Sequence, residues 1–301
     1  MNKRNNMRLK LGQMLGLGVA IASLGLGSPS GSQSLPVLTP TQPQAVEYLN
    51  AGLQRISQGQ VQDAIAFFTE AARLDPSLAP AYYNLGLALR QQGALQPAAD
   101  AFYKAVQADP NFSLAYANLG AALYEGQNLQ LAKDYLQRAV AIDPKLGVAH
   151  YNLGLVLKDL GELEGAEQSF NRAISLSPNA PEPAYHLALI HLQRNQLEAA
   201  RERLEQAIRI NPQYEEALYN LGIILFNRGD REASLDAFRR SSAANPNYPN
   251  AYYGAGLVFL SDNRPEEARR VLQYARDLYR DRGNAEWAAH AETLLRQLDR
   301  R

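Results

Sequence analysis

The sequence predicts an all-α solenoid: seven 34-residue helix–turn–helix copies over residues 45–282, closed by one further helix. Three observations predict it. Pro76, Pro110, Pro144, Pro178, Pro212 and Pro246 are each 34 residues apart, nearly all follow Asp or Asn, and each ends an apolar periodic run. The same spacing links Gly52, Gly86, Gly120, Gly154, Gly222 and Gly256, and a third column runs Phe68, Phe102, Leu136, Phe170, Leu204, Phe238 and Leu272. Inside each copy the apolar residues recur every three or four positions, the period of an amphipathic helix. A fixed period of this length is the signature of a stacked repeat array, which lengthens without thickening its core.

The copies run 45–78, 79–112, 113–146, 147–180, 181–214, 215–248 and 249–282. In the second, Tyr82, Leu85 and Leu89 form the stripe of the first helix and Gly93 marks the turn. Ala98, Phe102 and Ala105 form the stripe of the second helix. Gly86 is expected where the two helices cross, with Phe102 filling the space beside it, so a bulky residue there should cost about 1–3 kcal/mol by overpacking. Pro110 and its equivalents stop the second helix. Pro80, Pro97 and Pro265 fall at helix starts, where a missing N–H costs least. Two copies depart from the pattern: the fifth has Ala184, Ala188 and Asn195, and the seventh has Arg280 where the proline belongs.

The flanks differ from the array. Lys3, Arg4, Arg8 and Lys10 precede every acidic residue, and Leu11 to Gly27 is apolar or glycine apart from Gln13 and Ser23. Residues 1–27 therefore read as a signal peptide or an N-terminal membrane anchor, with membrane association possible through residues 11–26. The chain is expected to be exported across a membrane or held on it (periplasm, lumen or outside the cell) rather than cytoplasmic. Residues 28–44, rich in Ser, Pro, Thr and Gln, read as a flexible linker. Residues 283–301 read as a capping helix: Asn284 can cap it, Glu286 lies in its first turn, and Trp287, Ala291, Leu294, Leu295 and Leu298 share one face.

The spacing and residue types resemble the tetratricopeptide repeat. The second copy carries the resemblance most fully, with Tyr82 where the family often has Trp, then Leu85, Gly86, Ala98, Phe102, Ala105 and Pro110. The resemblance covers about Ala45 to Arg282. It implies a right-handed superhelical solenoid whose first helices line a groove that binds a peptide or protein.

In that groove the residue two before each Leu-Gly glycine should face the partner: Asn50, Asn84, Asn118, Asn152, His186 and Asn220, with Gly254 last. Amides at this spacing, offering donor and acceptor, can pair with a peptide backbone. Tyr83, Tyr151, Tyr185, Tyr219 and Tyr253 run beside them, and Leu53, Leu87, Leu155, Leu189, Ile223 and Leu257 lie one turn on, as an aromatic and aliphatic floor. Arg90 and Lys158 are the basic residues expected near this face, which argues against a receptor for acidic carboxylate tails.

The chain has 30 basic and 30 acidic residues, and without Lys3, Arg4, Arg8 and Lys10 it has 26 against 30. A mildly acidic mature chain is a poor nucleic-acid binder. With no cysteine, disulfides, thiolate chemistry and Cys-ligated zinc are excluded. There is no phosphate loop, nucleophile elbow or zinc-protease pattern, and nothing implies a cofactor or metal. His150 and His191 read as packing residues. The expectation is a non-catalytic scaffold that serves assembly of a membrane or envelope complex and does not self-associate. The alternative is the substrate-recognition arm of an enzyme whose catalytic part is another chain, such as a protein glycosyltransferase.

Overall fold

A computed structural model describes residues 42–299. The expected leader lies outside the described residues, as does most of the expected linker. Among the described residues there are fifteen helices and no strand. The helices pair as α1 (Pro43–Ser57) with α2 (Val61–Leu74), α3 (Ala79–Gln91) with α4 (Leu95–Ala108), α5 (Ser113–Glu125) with α6 (Leu129–Ile142), and α7 (Gly147–Asp159) with α8 (Leu163–Leu176). Then come α9 (Glu182–Gln193) with α10 (Leu197–Ile210), α11 (Glu215–Arg228) with α12 (Arg231–Ala244), and α13 (Pro249–Ser261) with α14 (Pro265–Asp281). A last helix, α15 (Ala285–Asp299), follows. The described residues form two compact units, 42–178 and 179–299, each built in the same way.

Six of the seven pairs close on a glycine, the fifth having Ala188 there. A Cβ built on Gly86 would lie 2.6 Å from Phe102 Cε1, and one built on Gly154 would lie 2.6 Å from Phe170 Cε1. Both rings are fully buried, so the second helix can approach only because the first helix has no side chain at that point.

The turn inside each copy is also fixed locally. Gly59, Gly93, Gly161 and Gly229 have positive φ, and so do Gln127, Asn195 and Asn263 at the same place in their copies. The N–H of the following residue returns to a carbonyl five back, as in Ala94 to Leu89 (3.0 Å) and Gln196 to His191 (2.8 Å). This is the bond that ends a helix on a left-handed residue. Asn195, a departure from the glycine pattern in sequence, keeps the same backbone.

The joint between copies uses the residue before the proline. Asp109 Oδ1 accepts the N–H of Asn111 at 2.9 Å, and Asp75, Asp143, Asn211 and Asn245 do the same for the residue two on. These Asx turns hold the chain while proline stops the helix. Ser234 and Ser241 replace alanine at buried positions, and each hydroxyl is satisfied: Ser234 Oγ donates to Gly222 O and Ser241 Oγ to Glu215 O, both at 2.8 Å.

At the end of the second unit, Asn284 Oδ1 accepts the N–H of Trp287 at 3.3 Å and so caps α15. Trp287 is buried against Tyr253 and Tyr279, with ring centroids 5.6 and 6.2 Å away. No described helix is long and apolar enough to cross a membrane.

Candidate functional site

The asparagine column lies on the first helices, and its accessibility falls along it. In the first unit Asn50 is exposed, Asn84 and Asn118 are half-buried, and Asn152 is 5% exposed. In the second unit His186 is 8% and Asn220 5% exposed.

The amides have a fixed orientation. Asn84 Nδ2 donates to Pro80 O at 2.8 Å, Asn118 Nδ2 to Leu114 O at 2.9 Å and Asn220 Nδ2 to Glu216 O at 2.9 Å. A backbone carbonyl can only accept, so the amide nitrogen must face it. The same nitrogen reaches the tyrosine hydroxyl of the preceding copy: Asn118 to Tyr83 at 3.3 Å, and Asn220 to Tyr185 at 3.5 Å. In Asn118 and Asn220 the donor half of the amide thus ties neighbouring first helices together. In Asn118 both amide hydrogens are committed and the oxygen is what remains for a partner, whereas Asn84 keeps a second N–H, so the column is not the uniform donor–acceptor ladder expected from sequence.

The tyrosine column is largely packing. Tyr83 is half-buried between Phe102 (5.9 Å) and Phe112 (4.9 Å). Tyr151 lies on Phe170, Tyr185 on Tyr214, Tyr219 on Phe238 and Tyr253 on Trp287, with 2–7% of each tyrosine exposed. Burial pushes the Tyr253 hydroxyl up to about 12 and raises that of Tyr219 well beyond its ordinary value. Leu155 is likewise enclosed at 6%, whereas Leu87 is half-buried and Leu53 is 42% exposed. An open floor through Tyr151, Tyr185, Tyr219, Tyr253 and Leu155 is therefore corrected: these side chains fill the contacts between adjacent helices. Asn152, His186 and Asn220 are enclosed with them. The accessible strip consists of Asn50, Leu53 and Ile56 on α1, Asn84 and Leu87 on α3, and Asn118 on α5.

Sequence reading missed a polar row at the ends of these helices. Arg90 pairs with Glu125, and Tyr124 Oη donates to Asp159 Oδ2 at 2.6 Å, each pair 35 residues apart; Lys158 pairs with Asp159. The two basic residues expected near the face are thus neutralised. For Arg90 and Glu125, an opposite-charge offset one longer than the repeat was the signal that could have found the pair. His150 Nε2 lies 3.0 Å from Pro144 O, the same link that Tyr252 Oη makes to Pro246 O at 3.1 Å, so this histidine does the aromatic residue's work. Among the described residues no group of three or more His, Asp or Glu could hold a metal.

Paired helices with a recurring amide column on their first-helix face define a helical-repeat interaction scaffold. Residues 79–294 match the family model described as the cilia and flagella-associated protein 70 C-terminal domain, and residues 52–93 match one described as a TPR repeat. The chain belongs to this tetratricopeptide-repeat family, whose members bind peptide or protein partners. No curated protein matches the sequence. Among solved structures, YrrB, titled a TPR protein with an unusual peptide-binding site, is 25% identical with a TM-score of 0.53, covering 65% of this chain and 99% of its own. Pseudomonas aeruginosa pilF is 21% identical with a TM-score of 0.62, covering 69% and 95%. A tetratricopeptide repeat protein from Parabacteroides merdae is 17% identical with a TM-score of 0.62, covering 83% and 100%. The last two share the fold.

Proposed function

We propose that this chain is a non-catalytic adaptor that holds a peptide or protein segment along the first-helix face of copies one to three. One observation carries the reading: in copies one to three the amide column is reachable, and beside it Leu53 and Ile56 are exposed apolar side chains. The likeness to YrrB supports a peptide as the ligand. Asn84 and Asn118 would accept hydrogen bonds from an extended segment's N–H groups while Leu53 and Leu87 cover its apolar side chains. The basic start and the apolar residues 11–26 favour an exported or membrane-tethered adaptor, which we read as serving assembly of a membrane or envelope complex. The second reading, a substrate arm for a separate-chain enzyme such as a protein glycosyltransferase, draws on the same amide column and requires a co-purifying catalytic subunit.

The test is a pull-down with tagged full-length chain from membrane and soluble fractions, beside Asn84→Ala/Asn118→Ala. Each lost bond is worth about 0.5–1.5 kcal/mol, so the variant should bind on the order of 5–100-fold more weakly. A partner retained equally by both proteins places binding on another face. A glycosyltransferase captured with the chain selects the second reading.

A further inference from the structure

Residues 42–178 carry nine basic side chains, and the way they are balanced divides them. Four hold a carboxylate: Arg73 pairs with Glu70, Arg90 with Glu125, Lys133 with Glu162 and Lys158 with Asp159. Arg55 donates to Gln60 Oε1 at 2.7 Å and lies over the Phe67 ring. The other four, Lys104, Arg138, Lys145 and Arg172, are exposed, and none has a carboxylate at ion-pairing distance among the described residues. Lys104, Arg138 and Arg172 are each 34 residues apart, four residues before the ends of α4, α6 and α8, and Lys145 lies in the joint that follows α6.

Helix energetics do not account for this row. The helix dipole acts on bases in the last turn, and the last turns of α4, α6 and α8 carry none. Asp100 and Asp134 stand one turn before Lys104 and Arg138, but each is turned to a glutamine instead: Asp100 Oδ1 accepts Gln96 Nε2 at 3.0 Å, and Asp134 Oδ1 accepts Gln130 Nε2 at 3.3 Å. Arg172 has Gln168 at that place.

The row has aromatic company. Lys104 Nζ lies 5.9 Å from the centre of the Tyr82 ring, and Tyr103 beside it is 45% exposed. Tyr82 stands near the start of α3 and Lys104 near the end of α4, so the row runs along the edge where first helices begin. Gln92 Nε2, bonded to Gln62 Oε1 at 2.7 Å, marks the opposite edge.

Uncompensated cations spaced one repeat apart suit a surface of many anions rather than a single anionic group. Basic residues are drawn to anionic lipid, and tyrosine is the residue type that sits at headgroup level with its ring inward and its hydroxyl in water. The sequence brings such a surface within reach: residues 11–26 are apolar behind four bases, and residues 27–42 can span at most roughly 55 Å.

We propose that this edge of residues 42–178 lies on anionic phospholipid headgroups, with Lys104, Arg138, Lys145 and Arg172 against the phosphates and Tyr103 among them. The row stands on second helices, so lipid contact leaves Asn84 and Asn118 on the first helices to a partner. This rests on the membrane-tethered reading above and adds how the array is laid on the membrane.

The chain has no cysteine, so Gln137→Cys, next to Arg138, accepts a single nitrobenzoxadiazole label. Gln91→Cys, at the end of α3 on the opposite edge, is the control position. Labelled full-length chain is titrated with vesicles of phosphatidylglycerol or of phosphatidylcholine. The same chain carrying Lys104→Gln, Arg138→Gln and Arg172→Gln, its fold checked by circular dichroism, is titrated beside it. With phosphatidylglycerol the label at residue 137 should brighten and shift to the blue, while the label at residue 91 should not. The triple variant should need about tenfold more lipid for half the signal, and added salt should weaken it. Equal signals on both lipids, no signal at residue 137, or an undiminished signal in the triple variant overturns the proposal. So does a signal that a uridine oligonucleotide or a polyglutamate peptide produces and phosphatidylglycerol does not. Sedimentation with phosphatidylcholine vesicles reports on residues 11–26 separately. A chain that sediments there but gives no phosphatidylglycerol signal keeps the tether and loses the row; the signal without that sedimentation keeps the row and loses the tether.

Discussion

Glu216 bears on stability through its carboxyl. Its carboxyl is raised from its ordinary value of 4.5, first by burial and then by Glu215, and it is opposed by its own backbone N–H. A carboxyl whose folded pKa lies above the unfolded one favours the folded state below the unfolded pKa, and that contribution is lost as pH rises through the folded pKa. At pH 7 the ion is therefore a burden on the fold, and Glu216→Gln removes it. Its Tm should exceed wild type by about 1–3 °C at pH 7, and the two should converge below about pH 4. An equal or lower Tm for the variant at pH 7 would mean that this carboxylate stabilises the unit. Asn84 and Asn118 show what sequence could and could not reveal at this scale. Their spacing and their place before Leu-Gly were legible. The direction of each amide was not, because it depends on the carbonyl of Pro80 or Leu114 one turn back and on a tyrosine in the preceding copy.

Between elements, the 34-residue pattern specifies the contact closely because the close approach of two helices leaves room for no more than glycine or alanine. A Cβ at Gly86 would have to displace the rigid ring of Phe102, and Ala188 is accepted in the fifth copy where the facing residue is Leu204. Gly86→Ala should therefore cost about 1–3 kcal/mol in a urea melt. Adding Phe102→Leu should recover part of that loss, giving a favourable coupling in the double-mutant cycle. Additive losses would show that the ring and the glycine do not meet as described. Helix ends were legible from proline and glycine, but Gln127 was not a visible turn residue. It takes φ 62° because the bond from Asn128 N–H to Leu123 O and the packing of both flanking helices impose the turn on it. The tyrosine column misled for a related reason. Tyr151 and Tyr219 have the spacing of a groove floor, yet a ring on a first helix reaches Phe170 or Phe238 on its own second helix, and burying it there is favourable.

Across each unit, every bond and ring contact described above joins residues of one copy or of adjacent copies, so stability should propagate only by nearest neighbours. The end of the second unit tests this. Trp287, Ala291, Leu295 and Leu298 of α15 are buried with Tyr253, Leu272 and Tyr279, and Arg269 pairs with Asp299. A chain ending at Gly283 would open that surface to water. Burying a large side chain is worth about 1.5–3 kcal/mol, so the loss falls on α13 and α14 and is large against the stability of one helix pair. In amide hydrogen exchange, α13 and α14 of the shortened chain should lose most of their protection, while α9 and α10 should keep most of theirs. The intermediate pair, α11 and α12, should lose some, since Phe238 packs within the same cluster as Tyr253. A uniform loss from α9 to α14 would instead mean that residues 179–299 open as one cooperative body.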